Sequence, residues 1–85
     1  MPNRILVVED DASTRLLIES CLSASGYEVV VTKDGLEALT LIGQENFDAV
    51  LLDIMLDDID GLTLCERIRQ FSQVPIIMVT AKDEP

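Results

Sequence analysis

Aromatic residues are almost missing from this chain: two Phe, one Tyr and no Trp, 4% of 85 residues. Its core must therefore be aliphatic, and the apolar fraction of 48% supplies enough Leu, Ile and Val for one. Basic residues are scarce too. Six Lys and Arg stand against sixteen Asp and Glu, a net charge of −10. Such a surface repels nucleic acid and anionic lipid, which argues against direct DNA or membrane binding by this segment. Cysteine is limited to Cys21 and Cys65, each within an apolar helical pattern rather than a paired motif. That usage predicts two reduced core thiols in a cytoplasmic protein. No apolar run is long enough for a signal peptide or a membrane span. Internal repeats, low-complexity tracts and interdomain linkers are also lacking, so residues 1–85 read as a single domain. A chain this short buries only about two-thirds of the surface it exposes when unfolded, so its stability should be modest.

What is present alternates two patterns. The segment RILVV (4–8) is a short β-branched run suited to a strand buried on both faces, and YEVVV (27–31), FDAVLLD (47–53) and VPIIMV (74–79) read as three further strands. Between the first two, residues 12–25 carry Leu17, Ile18, Cys21 and Leu22 on one helical stripe, stopped by Gly26. In DGLEALTLIG, Asp34 can cap a helix and Glu37, three residues later, can close a capping box. A third helix is expected over 61–71, with Asp60 as its cap and Leu64, Cys65, Ile68 and Phe71 facing inward. The order βαβαβαβ implies an α/β fold with an open parallel sheet joined by right-handed crossovers.

In such sheets reacting groups gather beyond the carboxyl ends of the strands. Glu9, Asp10 and Asp11 leave the first strand, Asp53 the third and Thr80 the fourth. If the first and third strands are neighbours, three or four carboxylates share one crevice. Like charges that close cannot all ionise unaided, and a hard divalent cation such as Mg²⁺ relieves them. The plainer possibility is that Glu9, Asp10 and Asp11 are the solvated first turn of a helix. Their coincidence with Asp53 and Thr80 favours a magnesium site with a carboxylate free to attack phosphorus.

The segments ILVVEDD, VLLDIMLDDIDGLTLCERIR and VPIIMVTAKDE together resemble the receiver domain of two-component response regulators. The resemblance spans the chain, and the ending TAKDE is most similar to receivers attached to winged-helix DNA-binding domains. It implies a flavodoxin-like (CheY-like) open sheet in the order 2-1-3-4, with the family's fifth strand and last two helices absent from this chain. It further implies that Asp53 is the phosphoacceptor, and that Glu9, Asp10, Asp53 and the backbone carbonyl of Met55 hold Mg²⁺, with Asp10 the direct ligand. Thr80 matches the switch hydroxyl and Ala81 the small neighbour of the phosphoryl group. Asp60 is then a cap, while Asp57 and Asp58 are expected to be solvated loop carboxylates. The partner implied is a sensor histidine kinase, and the module is an acceptor rather than a turnover enzyme.

Two departures stand out. Asp57 occupies a position where the family usually carries proline, which should loosen the loop after Asp53. The lysine and aromatic residue of a fifth strand have no counterpart, and Lys82 matches an ordinary loop position. These departures sustain a second reading, a phosphorylation-poor receiver that acts as an interaction module. Self-association through the fourth-strand edge is expected, because its PIIMV segment has no charged guard, and the face of the first helix around Leu17 and Cys21 should be uncovered. A haloacid-dehalogenase-like phosphatase is disfavoured, since such enzymes need a second acid where Met55 stands. A flavodoxin is disfavoured because EDDAST is acidic where a phosphate-cradling loop should be.

Overall fold

Four apolar strand segments and three helical ones assemble in the expected alternation in the computed structural model, which describes residues 3–79. The elements are β1 (Arg4–Val8), α1 (Ala12–Ala24), β2 (Glu28–Thr32), α2 (Gly35–Gln44), β3 (Ala49–Asp53), α3 (Gly61–Arg69) and β4 (Ile76–Val79). All pairings are parallel, and the strand order is β2-β1-β3-β4, as the family resemblance implied. β1 lies inside the sheet, with Val7 in register with Val31 on one side and Leu51 on the other.

The core is lopsided. Leu6, Val8, Val50 and Leu52 on one sheet face pack with Ala38 and Ile42 of α2 and Leu64 and Ile68 of α3 into a single buried cluster. On the other face lies α1, none of whose residues is buried. Its Leu17 is 64% exposed. Cys21 is exposed as well, which corrects its assignment as a core thiol, while Cys65 is half-buried. The apolar stripe of α1 is real, but no described element covers its outer part. Gly26, at φ +97° immediately past the helix, supplies the left-handed turn that ends α1. Among the described residues no helix is long and apolar enough to cross a membrane.

Three local expectations need correction. β2 begins and ends one residue later than the YEVVV run, at Glu28 and Thr32. Phe71 lies beyond the last residue of α3 and is 52% exposed, because the helix ends before carrying it back to the core. Asp34 makes no side-chain cap bond to α2. Glu37 instead accepts a hydrogen bond from the Thr32 hydroxyl, which in turn accepts from the Asp34 amide at 3.2 Å. α3 starts as expected: Asp60 accepts from the Thr63 amide at 3.2 Å.

Candidate functional site

The carboxyl ends of β1 and β3 are adjacent because these strands pair directly, so residues leaving them meet. Each of Glu9, Asp10 and Asp53 offers one oxygen, and these atoms all lie within 4.8 Å of one another. Glu9 is only 3% exposed and Asp53 5%, despite their charge. Glu9 is fixed at both ends. Its amide donates to the Thr32 carbonyl at 3.0 Å, and its side chain accepts from the Asp11 amide at 3.2 Å.

Electrostatics here are adverse. Burial pushes the Glu9 carboxyl above its usual range, and the charges of Asp53 and Asp10 add to it, against a lowering hydrogen bond from Asp11. Asp10 is likewise raised, first by desolvation and then by the charges of Asp57 and Asp53. Asp57, expected to be merely solvated, is therefore part of the field at Asp10. Among the described residues both ion pairs belong to Arg4, which pairs with Glu28 and Glu45 and not with the cluster, while the Arg15 guanidinium donates to the Glu9 carbonyl at 3.0 Å rather than to a carboxylate.

The residues present fit a hard cation. All three donors are oxygens, as Mg²⁺ requires, and ligand bonds of about 2.1 Å span oxygen pairs up to about 4 Å apart. The oxygens, at most 4.8 Å apart, exceed that span by less than an ångström. Asp11 is not part of this group: it accepts from the Thr14 amide at 2.8 Å and hydroxyl at 2.7 Å, and so caps α1. Those bonds hold its own carboxyl below the usual range.

The loop 54–60 after β3 shapes the rest of the site. The Met55 amide donates to Asp53 Oδ1 at 3.1 Å, which fixes that carboxylate. Gly61 returns its amide to the Ile54 carbonyl at 3.0 Å. A Cβ at Gly61 would sit 2.7 Å from Ile54 Cα and 2.9 Å from the Asp53 carbonyl oxygen, so only glycine lets α3 start this close to β3. Asp58 is the residue that sequence reasoning misplaced. Its Oδ1 accepts from the Gly35 amide and its Oδ2 from the Leu36 amide, both at 3.0 Å, so it caps α2 from another loop. Desolvation opposes ionisation of Asp58, yet the amide bonds outweigh it and its pKa falls below the usual range. No local signal shows this bond, because its partners are 22 and 23 residues away. Thr80 and Ala81 lie outside the described residues.

Comparison with known proteins agrees with this geometry. The family model of the response regulator receiver domain matches residues 5–85. Response regulator MprA of Mycobacterium sp. (strain KMS) is 45% identical over 84 residues, covering 98% of this chain and 36% of that protein. The chain thus spans roughly a third of the length of the curated relatives it matches. Among solved structures, the BeF3-activated receiver domain of Klebsiella pneumoniae RstA superposes with a TM-score of 0.90 at 43% identity, covering 96% of this chain and 70% of that one. Thermotoga maritima TrrA, solved in complex with Mg²⁺ and a beryllium fluoride, gives a TM-score of 0.89 at 38% identity, covering 95% of this chain and 71% of that one.

Proposed function

Because this chain belongs to the response regulator receiver domain family, we propose that it accepts a phosphoryl group on Asp53 and passes that event to an output, most directly transcription. The observation that carries this reading is a carboxylate at the end of β3, 5% exposed, fixed by the Met55 amide beside two further carboxylates. With Oδ1 held by that amide, Oδ2 is left to attack. A bond forms from the Asp53 carboxylate to phosphorus as the phosphorus–nitrogen bond of a kinase phosphohistidine breaks. The imidazole leaves with the electron pair and takes up a proton. This is nucleophilic catalysis by a carboxylate, with the protein itself as the acceptor rather than a turnover enzyme.

Glu9, Asp10, Asp53 and the Met55 carbonyl would hold Mg²⁺. When bound, that ion neutralises charge on the transferring group. Thr80 would supply the switch hydroxyl and Ala81 the space beside it. In support, Val79 is in register with Asp53, one residue before Thr80. The implied partner is a sensor histidine kinase, in the cytoplasm. The net charge of −10 supports an output reached without nucleic-acid contact by this segment.

Incubation with acetyl phosphate and Mg²⁺, followed by intact mass, tests the assignment. One added phosphoryl group in the wild type and none in Asp53→Asn is the expected result. Phosphate that persists in Asp53→Asn would refute it.

The second reading, self-association, rests on β4, whose outer edge pairs with no described strand and whose Ile77 is 54% exposed. Such an edge accepts another strand.

A further inference from the structure

We infer that Asp58 is a positioning residue of the phosphoacceptor site, a clasp that ties the loop 54–60 to the first turn of α2 and thereby sets Met55 and Asp53. This inference rests on the function proposed above. Loop 54–60 is anchored at one end by the Ile54 amide on the Val79 carbonyl at 3.3 Å, and at the other by the Gly61 amide on Ile54. Between those anchors, Met55 bonds back to Asp53 and Asp60 bonds forward to Thr63, both on elements that flank the loop, whereas the two bonds of Asp58 reach across to α2.

The geometry suits a clasp. Both carboxylate oxygens are used, one on each of two consecutive amides at the start of α2. These amides have no intrahelical partner, and the helix dipole favours an anion there. Asp34, the residue adjacent to α2 in sequence, leaves the position open by making no side-chain cap bond. Apolar packing repeats the link. A Cβ at Gly35 would run into the Ile59 side chain and come within 3.2 Å of Leu56, so loop and helix are already in close contact. Met55 precedes Asp58 by three residues and donates the amide that fixes Asp53. Any displacement of residue 58 is therefore delivered within one short loop to the reacting carboxylate.

Coupling of this kind is reciprocal. Occupation of the acidic site should tighten the α2 amides, and loss of the clasp should weaken the site. The test is Mg²⁺ titration followed by NMR, with amide hydrogen exchange at Gly35 and Leu36, on wild type, Asp58→Asn, Asp58→Ala and the charge-matched control Glu66→Gln. Glu66 is exposed on α3, so its substitution removes one negative charge without touching the clasp. In wild type, Mg²⁺ should slow exchange at Gly35 and Leu36. Asp58→Ala should weaken Mg²⁺ binding by about fivefold or more, in the range of ordinary coupling between sites. Asp58→Asn, which keeps one acceptor oxygen, should fall between, and Glu66→Gln should match wild type. If both Asp58 variants lose protection at Gly35 and Leu36 yet bind Mg²⁺ as wild type does, Asp58 is a helix cap alone and the inference is overturned. Equal weakening in Glu66→Gln would also overturn it, by reducing the effect to net charge. Absence of Mg²⁺ binding in wild type would instead strike the functional reading on which the clasp depends.

Discussion

Glu9 and Asp10 are held where ionisation is opposed, and that fact sets how this chain should respond to pH. Both carboxyls have folded-state pKa values above their ordinary ones, through desolvation first and neighbouring carboxylates second. A carboxyl of this kind binds its proton more tightly in the folded chain. Its effect on stability therefore turns unfavourable as pH rises from about 4 through the raised value, and stays so at neutrality. Asp58, with a lowered pKa, acts oppositely: its contribution is present above about pH 4 and is lost as pH falls through its folded value. A cation that binds the folded site adds stability by mass action but competes with protons for the same oxygens. Millimolar Mg²⁺ should thus raise the melting temperature at pH 7 and have little effect near pH 4. Glu9→Gln should raise the melting temperature of the metal-free chain at pH 7, by removing a buried charge from the cluster. It should also diminish the Mg²⁺ shift, and Asp10→Ala should abolish it. Thermal melts at the two pH values decide this. A Mg²⁺ shift of equal size in Asp10→Ala would remove Asp10 from the site.

At the scale of elements, β3 and α3 meet in a tight backbone junction. Gly61 lies against the backbone of Asp53 and Ile54, and neither can yield as a flexible side chain would. Gly61→Ala is expected to displace the start of α3 and to cost about 1–3 kcal/mol, the usual range for overpacking. Urea unfolding measures that cost, and the same variant should bind Mg²⁺ more weakly because the Asp53 backbone moves. A variant as stable as wild type would show that α3 has room to shift. Much of this junction was legible beforehand. Asp60 as the α3 cap and Asp53 as the last residue of β3 both follow from local pattern. The glycine's close approach was not, since it depends on where α3 is placed against a strand seven residues and a turn away.

For the whole molecule, the unequal covering of the two sheet faces has a consequence for association. The α2–α3 side is dry, whereas α1 buries no residue and leaves Leu16 and Leu17 outward. On that same sheet face Ile77, in register with Leu51, is 54% exposed at the β4 edge. Removing such apolar surface from water is worth roughly 25 cal/mol per Å². Light scattering across a concentration series should show the 85-residue chain self-associating, with Ile77→Lys shifting it toward monomer. A stable monomer at high concentration, with sharp amide signals for residues 76–79, would remove the proposed interface.

The sequence by itself determined what depends on near neighbours. Strand and helix periods, the Asp60 cap, the Gly26 stop and the alternation that puts Asp53 at a strand end all involve residues within a turn or two of one another. Parallel pairing of β1 with β3 then brought Glu9, Asp10 and Asp53 together, as strand-end positions in an open sheet require. Only the tertiary structure decided which groups serve contacts distant along the chain. It gave the α2 cap to Asp58 instead of Asp34, set Asp57 in the field of Asp10, and left Cys21 outside the core. The physical reason is that a hydrogen bond or a burial between residues some twenty positions apart has no periodic trace in composition. It exists once two packed elements bring a carboxylate to a helix end, or when none covers an apolar stripe.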